Sequence, residues 1–102
     1  MSRFVKAASL VEVPPGASRL VEIEGKEIAL FNAGGVLYAL ANTCPHAGGP
    51  LAEGTVEEGR VECPWHGAQF DLKTGSSSSA LAPGGAAAYP VRISGPDIEI
   101  EI

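Results

Sequence analysis

The sequence contains few of the residues that usually carry chemistry. In 102 residues it has two cysteines, two histidines, one tryptophan and one methionine. Two cysteines can form at most one disulfide, which excludes a disulfide-rich scaffold, and a reducing compartment would disfavour even that one. Chemistry at this chain must therefore depend on very few side chains.

Clusters of positive charge and long apolar runs are also missing. Seven basic and twelve acidic side chains give a formal net charge of -5, and the basic residues are scattered from Arg3 to Arg92. This pattern argues against nucleic acid or an anionic membrane as a partner. The first ten residues lack the apolar run of a signal peptide, and no stretch could form a spanning helix. We expect a soluble, cytoplasmic monomer with one domain over residues 1–102.

Long segments with helical periodicity are absent as well. Short alternating segments are separated by Gly, Pro and Asn, as in "RLVEIEG" and "KEIALFN" around Gly25, or "RVECP" and "AQFDLK" around "WHG". Only "AASLVEV" suggests a helical turn, which Pro14 and Pro15 would end. The spacing of the turn signals predicts an all-β fold, an antiparallel sandwich or barrel.

The segment 75–88, "GSSSSALAPGGAAA", is small and polar. Its composition is typical of a flexible surface loop. The alternative is a loop that folds over a site, with Pro83 as a rigid point.

The two cysteines and two histidines fall into two short motifs. "TCPHAGGPL" contains Cys44 and His46, and "ECPWHGAQFD" contains Cys63 and His66. Each motif lies where a strand should end, so two hairpin tips could hold one metal centre. Thiolates and neutral imidazoles suit zinc or iron-sulfur chemistry and exclude hard ions such as calcium.

Simpler interpretations exist for each residue alone. A single His in a loop is usually solvated, and a single Cys is usually a small buried hydrophobe. A tetrahedral structural zinc is the serious alternative, since two Cys and two His form a common zinc set. The usual zinc-finger arrangement pairs Cys with Cys and His with His, whereas here each loop supplies one of each.

"CPHAGGPL" followed by "CPWHGAQFD" resembles the Rieske 2Fe-2S signature, and the surrounding β segments fit that fold's pattern. The resemblance implies one 2Fe-2S cluster in a small cluster-binding subdomain of two hairpin loops, about residues 41–86. Cys44 and Cys63 would bind the inner iron, and His46 and His66 the outer iron.

The resemblance is strongest to the soluble Rieske-type ferredoxins of bacterial ring-hydroxylating dioxygenases. Rieske subunits of quinol-oxidising complexes carry an extra disulfide, and this chain has Gly49 and Trp65 at those positions. No histidine remains for the mononuclear iron of an oxygenase subunit. The resemblance therefore implies an electron carrier with no catalysis of its own, served by a flavin-containing ferredoxin reductase and serving a terminal oxygenase of aromatic hydrocarbon catabolism. A zinc-binding module, or an iron-sulfur sensor or assembly module, is the alternative.

Further residues of both motifs are expected to shield or tune the cluster. High-potential Rieske centres have Ser and Tyr where this chain has Ala68 and Phe70, so the resemblance implies a low potential. Trp65 is expected to cover the cluster, although it could simply be a core residue. The residues expected to stiffen the loops or to fold over the cluster are Pro45, Pro64, Gly67 and Pro83.

Four acidic residues lie between and beside the two motifs: Glu53, Glu57, Glu58 and Glu62. They could form an ordinary solvated face. The functional interpretation is that they steer the protein toward basic surfaces on its redox partners.

Overall fold

The structure is a computed structural model, and it describes residues 3–42, 50–64, 67–77 and 86–102. Within these ranges the chain forms β-strands and two short 3-10 helices, Leu10–Glu12 and Leu51–Glu53. The strands are β1 Phe4–Ser9, β2 Ser18–Ile23, β3 Lys26–Ala33, β4 Val36–Ala41, β5 Thr55–Glu57, β6 Arg60–Glu62, β7 Gln69–Asp71, β8 Ala88–Tyr89, β9 Val91–Ser94 and β10 Asp97–Glu101.

The strands form three antiparallel sheets. The first sheet has the order β1-β10-β9, the second β2-β3-β4-β8, and the third β5-β6-β7. The first and last strands of the chain are paired, with Phe4 opposite Glu101. Pro90 lies between β8 and β9, where the chain leaves the second sheet for the first.

Strand β3 is buried on both faces because it lies between two cores. Ile28 and Leu30 face one core, and Ala29 and Phe31 face the other, as the two-residue period of a strand requires. The first core, here called the body core, comprises Ala8, Val13, Val21, Ile23, Ile28, Leu30, Ala39, Ile98 and Ile100. The second, here called the site core, comprises Ala29, Phe31, Leu40, Leu51, Val61, Cys63, Ala68, Phe70 and Leu72. The second sheet therefore packs on the first sheet through one core and on the third sheet through the other.

The structure confirms the predicted all-β, antiparallel fold. The hairpin around Gly25 is formed by β2 and β3, and "RVECP" and "AQFDLK" supply β6 and β7. Two details differ from the prediction. The first three residues of "AASLVEV" end β1, where Ala8 and Ser9 pair with β10 and Ala7 lies at a shift in register, and only Leu10–Glu12 is a 3-10 helix. The loop after β4 connects two different sheets, where a hairpin tip was predicted.

No helix in the described parts of the chain is long and apolar enough to cross a membrane.

Gly75 lies where two parts of the chain cross at close range. The Ala86 amide donates to the Gly75 carbonyl over 2.8 Å, and the Gly75 amide donates to the Asp71 carbonyl over 2.7 Å. The Gly75 backbone has φ of +79°, and a Cβ added there would lie 2.0 Å from the Ala86 carbonyl oxygen. Only glycine satisfies both constraints, since it tolerates a positive φ and leaves room for the crossing.

We therefore predict that Gly75→Ala destabilises the protein by roughly 2 to 4 kcal/mol, which combines left-handed strain with overpacking. Gly59→Ala is the matched control, because Gly59 has φ of +77° and no atom within 4 Å of an added Cβ. The control should lose only about 1 to 2 kcal/mol of stability, because it carries the left-handed strain without the overpacking. Urea unfolding followed by circular dichroism measures both losses, and equal losses would contradict the close crossing at Gly75.

Candidate metal centre

Backbone hydrogen bonds join the described residues of the second motif at the end of β6. The Cys63 amide donates to the Ala68 carbonyl over 2.7 Å, and the Gly67 amide donates to the Cys63 carbonyl over 3.0 Å. Gly67 has φ of +71°, a conformation that favours glycine. Pro64 is exposed in the same turn. The chain thus holds Cys63 at a fixed position between two paired strands.

Cys63 is buried in the site core, with only 1% of its surface exposed. Ala68 and Phe70 belong to the same core and are completely buried. Phe70 is paired with Val61 across β6 and β7, so both side chains point to the inner face of the third sheet. A thiolate ligand at Cys63 would therefore be shielded from water by apolar side chains.

The chain around the first motif is held at both ends by Asn42. This residue follows β4 directly and is 5% exposed. Its main-chain carbonyl accepts from the Leu51 amide over 2.7 Å, and its Oδ1 accepts from the Ala52 amide over 2.9 Å. Asn42 thereby joins the described residues on the two sides of the first motif.

The ends of the 75–88 segment also meet beside the site core. Ser77 forms a β-bridge with Phe70, and Ala86 packs against the site core as well as bonding to Gly75. The connections that follow Asn42, Cys63 and Ser77 therefore all start and end beside the site core.

Three of the four predicted ligands, Cys44, His46 and His66, lie outside the described residues. So do Pro45, Gly49, Trp65 and Pro83. Within the described ranges, no group of three or more His, Cys, Asp or Glu side chains could hold a metal ion. The structure thus describes one predicted ligand, Cys63, together with the backbone that leads to the other three.

The outer face of the third sheet is acidic. Cross-strand pairing puts Glu57 beside Arg60 and Glu62 beside Thr55 and Gln69, and the Glu58 side chain extends from the turn between β5 and β6. These six residues line one surface depression. Glu53 is exposed on the 3-10 helix and does not line it. The fold therefore gathers three of the four acidic residues singled out in the sequence.

This arrangement is a small antiparallel β protein in which a buried cysteine and the ends of three connections lie at one apolar core. Comparison with protein families gives a match over residues 3–90 to the Rieske [2Fe-2S] domain. The chain belongs to this family, and a Rieske domain implies a 2Fe-2S cluster.

Similar proteins come from aromatic dioxygenase systems. The ferredoxin component of the naphthalene 1,2-dioxygenase system of Pseudomonas aeruginosa is 35% identical over 100 residues, covering 98% of this chain and 96% of that protein. The ferredoxin of carbazole 1,9a-dioxygenase from Nocardioides aromaticivorans IC177 has a TM-score of 0.89 at 29% identity, with 95% of each chain covered. A complex of reduced oxygenase and oxidised ferredoxin in carbazole 1,9a-dioxygenase matches with a TM-score of 0.87 at 28% identity, covering 95% of this chain and 91% of that one.

These findings confirm the predicted resemblance to Rieske-type ferredoxins. The relatives are electron-transfer components and not catalytic subunits, in agreement with the role expected from the sequence.

The sequence interpretation missed two residues that shape the site. Asn42 could have been noticed as a polar residue directly between an apolar strand and the first motif. Asp71 forms a turn after β7, where its Oδ1 accepts from the Lys73 amide over 2.8 Å and from the Thr74 amide over 3.0 Å. The pattern "FDLKTG" is a signal for such a turn, because Asp side chains often accept from backbone amides two or three residues later.

The backbone amides of Thr74 and Lys73 lower the pKa of Asp71 below its ordinary value of 3.8, and the charge of Arg60 contributes. A lowered folded-state pKa gives stability that is present above the unfolded value and lost as the pH falls through the folded value. We predict that the free energy of unfolding of wild type exceeds that of Asp71→Asn at about pH 6. The difference should be only on the order of 0.5 kcal/mol, because solvent screens this exposed turn. The difference should be smaller at about pH 3 than at about pH 6, because this stabilisation is lost as the pH falls through the folded-state pKa.

Thermal unfolding of the two proteins at both pH values measures this difference. Glu58→Gln is the control, since it removes one negative charge from another exposed turn. A difference between wild type and Asp71→Asn that does not change with pH would contradict the assignment.

Proposed function

We propose that this chain carries one electron at a time from a reductase to a terminal oxygenase, through one 2Fe-2S cluster bound by Cys44, His46, Cys63 and His66. The observation that carries the proposal is the burial of Cys63 in a core on which the ends of the first motif's loop also converge. Leu51, which follows that loop, is completely buried in the same core.

The described residues fit such a cluster. Cys63 offers a thiolate at the end of a strand, and the loop that carries Cys44 and His46 starts and finishes beside the same core. In the sequence, His66 follows Cys63 by three residues and directly precedes Gly67. Two thiolates and two imidazoles are the donor set of a Rieske centre.

The cluster supplies reversible one-electron chemistry, and imidazole ligands on one iron raise its potential relative to an all-cysteine cluster. The chain's own contribution is to hold the ligands and to exclude water. Val61, Ala68 and Phe70 surround the Cys63 side of the site with apolar, fully buried side chains. Surroundings with few hydrogen-bond donors to the cluster are expected to give a low reduction potential.

The proposed partners follow from the relatives. One is a component of a naphthalene dioxygenase system, and a carbazole dioxygenase ferredoxin has been seen in complex with its oxygenase. We assign this chain a flavin-containing ferredoxin reductase as donor and an aromatic ring-hydroxylating oxygenase as acceptor. The acidic face formed by Glu57, Glu58 and Glu62 would favour encounter with basic surfaces on these partners.

We predict that the purified protein is red-brown, contains about two irons and two acid-labile sulfides per chain, and gives an iron-sulfur EPR signal when reduced. Cys63→Ser should lose most of the cluster, because the buried thiolate is one of its four attachments. With a reductase and an oxygenase of a dioxygenase system, the wild-type protein should support substrate oxidation. The rate of electron transfer should fall as salt is raised, since salt screens charge steering.

Two outcomes would oppose this function. Colourless protein with one tightly bound zinc would identify the structural zinc module instead. A protein that holds the cluster but transfers no electrons to any such oxygenase would favour a sensor or assembly role.

The reduction potential provides a second prediction. Ala68 and Phe70 have no hydroxyl groups, so the wild-type potential should lie near the low end of the roughly -150 to +300 mV Rieske span. The double variant Ala68→Ser and Phe70→Tyr should raise it by roughly 80 to 100 mV, about 40 mV for each hydroxyl that donates to a cluster sulfur. Protein-film voltammetry measures both values.

Phe4→Tyr is the control for the added hydroxyl. Phe4 lies under the Arg92 guanidinium in the first sheet, outside the site core. Its substitution should leave the potential unchanged. A lower potential in the double variant, or a wild-type potential near the top of the span, would show that other groups tune the cluster.

A further inference from the structure

Asn42 is one of two buried polar residues in the described core, and its hydrogen bonds are concentrated on one loop. The main-chain amide of Asn42 donates to the Glu27 carbonyl over 3.0 Å, which fixes this residue to the start of β3. Its carbonyl and its side-chain Oδ1 accept from two successive amides, those of Leu51 and Ala52. One residue therefore joins the entry and the exit of the loop that carries Cys44 and His46.

The exit side of this loop is fixed further by its neighbours. The Leu51 side chain is completely buried in the site core, which also contains Cys63. The Ala52 carbonyl accepts from Ser18 Oγ over 2.8 Å, which ties the same 3-10 helix to β2. Asn42 therefore bonds to the two residues through which the first loop joins the site core and β2.

We propose that Asn42 is a positioning residue for the metal centre: its side chain closes the first ligand loop and holds it in register with Cys63. This inference rests on the proposed ligand set. Groups that orient metal ligands without touching the metal commonly change metal retention by about 10- to 100-fold when they are replaced. Asn42 meets this description because its bonds act on the loop backbone.

The chain contains a matched control in Asn32. This residue is 7% exposed and belongs to β3 in the same sheet. Its Nδ2 donates to the Val13 carbonyl over 2.8 Å, and its Oδ1 accepts from the Gly35 amide over 2.8 Å. Asn32 lies near the β3–β4 turn, whereas Asn42 lies just beyond the opposite end of that strand pair. Both asparagines stabilise backbone turns, but only Asn42 is adjacent to a ligand loop.

The experiment compares holo wild type, Asn42→Ala, Asn42→Asp and Asn32→Ala. Each protein is incubated with a ferrous-iron chelator, and the loss of visible absorbance gives the rate of cluster release. Far-UV circular dichroism confirms that the β fold is retained, and EPR of the reduced proteins reports the ligand geometry. We expect Asn42→Ala to release its cluster about 10- to 100-fold faster than wild type and to show a shifted or broadened EPR signal.

The other two variants separate positioning from general stability. Asn42→Asp keeps an oxygen that accepts from the Ala52 amide, so its release rate should stay within a few-fold of wild type. Asn32→Ala should lower the unfolding temperature with little change in release rate or EPR signal. Equal release rates for Asn42→Ala and Asn32→Ala, or no rescue by Asn42→Asp, would overturn the proposal.

If Asn42→Ala does not fold, Asn42→Ser replaces it in the comparison with Asn42→Asp. The Ser hydroxyl is one bond closer to the backbone than Oδ1 and is too short to reach the Ala52 amide in the same way. Faster release from the Ser variant than from the Asp variant supports positioning, and equal rates overturn it. Wild-type protein without a cluster would instead refute the proposed function, so the two failures are distinguishable.

Discussion

Burial of β3 on both faces is the constraint on which the rest of the structure depends. A strand of eight residues with Ile28 and Leu30 on one side and Ala29 and Phe31 on the other must be covered twice. The first sheet covers one face, and the small third sheet covers the other. Each fully buried aliphatic or aromatic side chain contributes about 1.5 to 3 kcal/mol from removal of apolar surface, so neither layer is dispensable.

The third sheet has another role besides covering β3. Its strands have only three residues each, which is too short for independent stability. Val61, Cys63 and Phe70 anchor it to the second sheet through the site core. Backbone bonds close the connections around it: Cys63 to Ala68, Asn42 to Leu51, and Gly75 to Ala86. These bonds fix the third sheet to its neighbours although it has little core of its own.

The division between body and site agrees with the work of an electron carrier. Such a protein needs a shielded cofactor close to the surface and a face that meets its partners. The site core supplies apolar shielding at Cys63, and the outer face of the same sheet supplies the acidic depression lined by Glu57, Glu58 and Glu62. The buried Cys63 and the acidic depression lie on opposite sides of one sheet because successive residues of a strand point in opposite directions.

The amino-acid sequence by itself determined the fold class and the family, and it predicted a ligand set for the candidate site. Strand alternation predicted β2, β3, β6 and β7 because a two-residue period is a local property of the chain. The ligand set was predicted because Cys and His are rare here and occur in two characteristic motifs. Only the tertiary structure decided which sheets are joined by the first loop, that β1 pairs with β10, and that Asn42 closes the loop before Leu51. These features depend on contacts between residues distant in sequence, and no local pattern of hydrophobicity or spacing specifies such contacts.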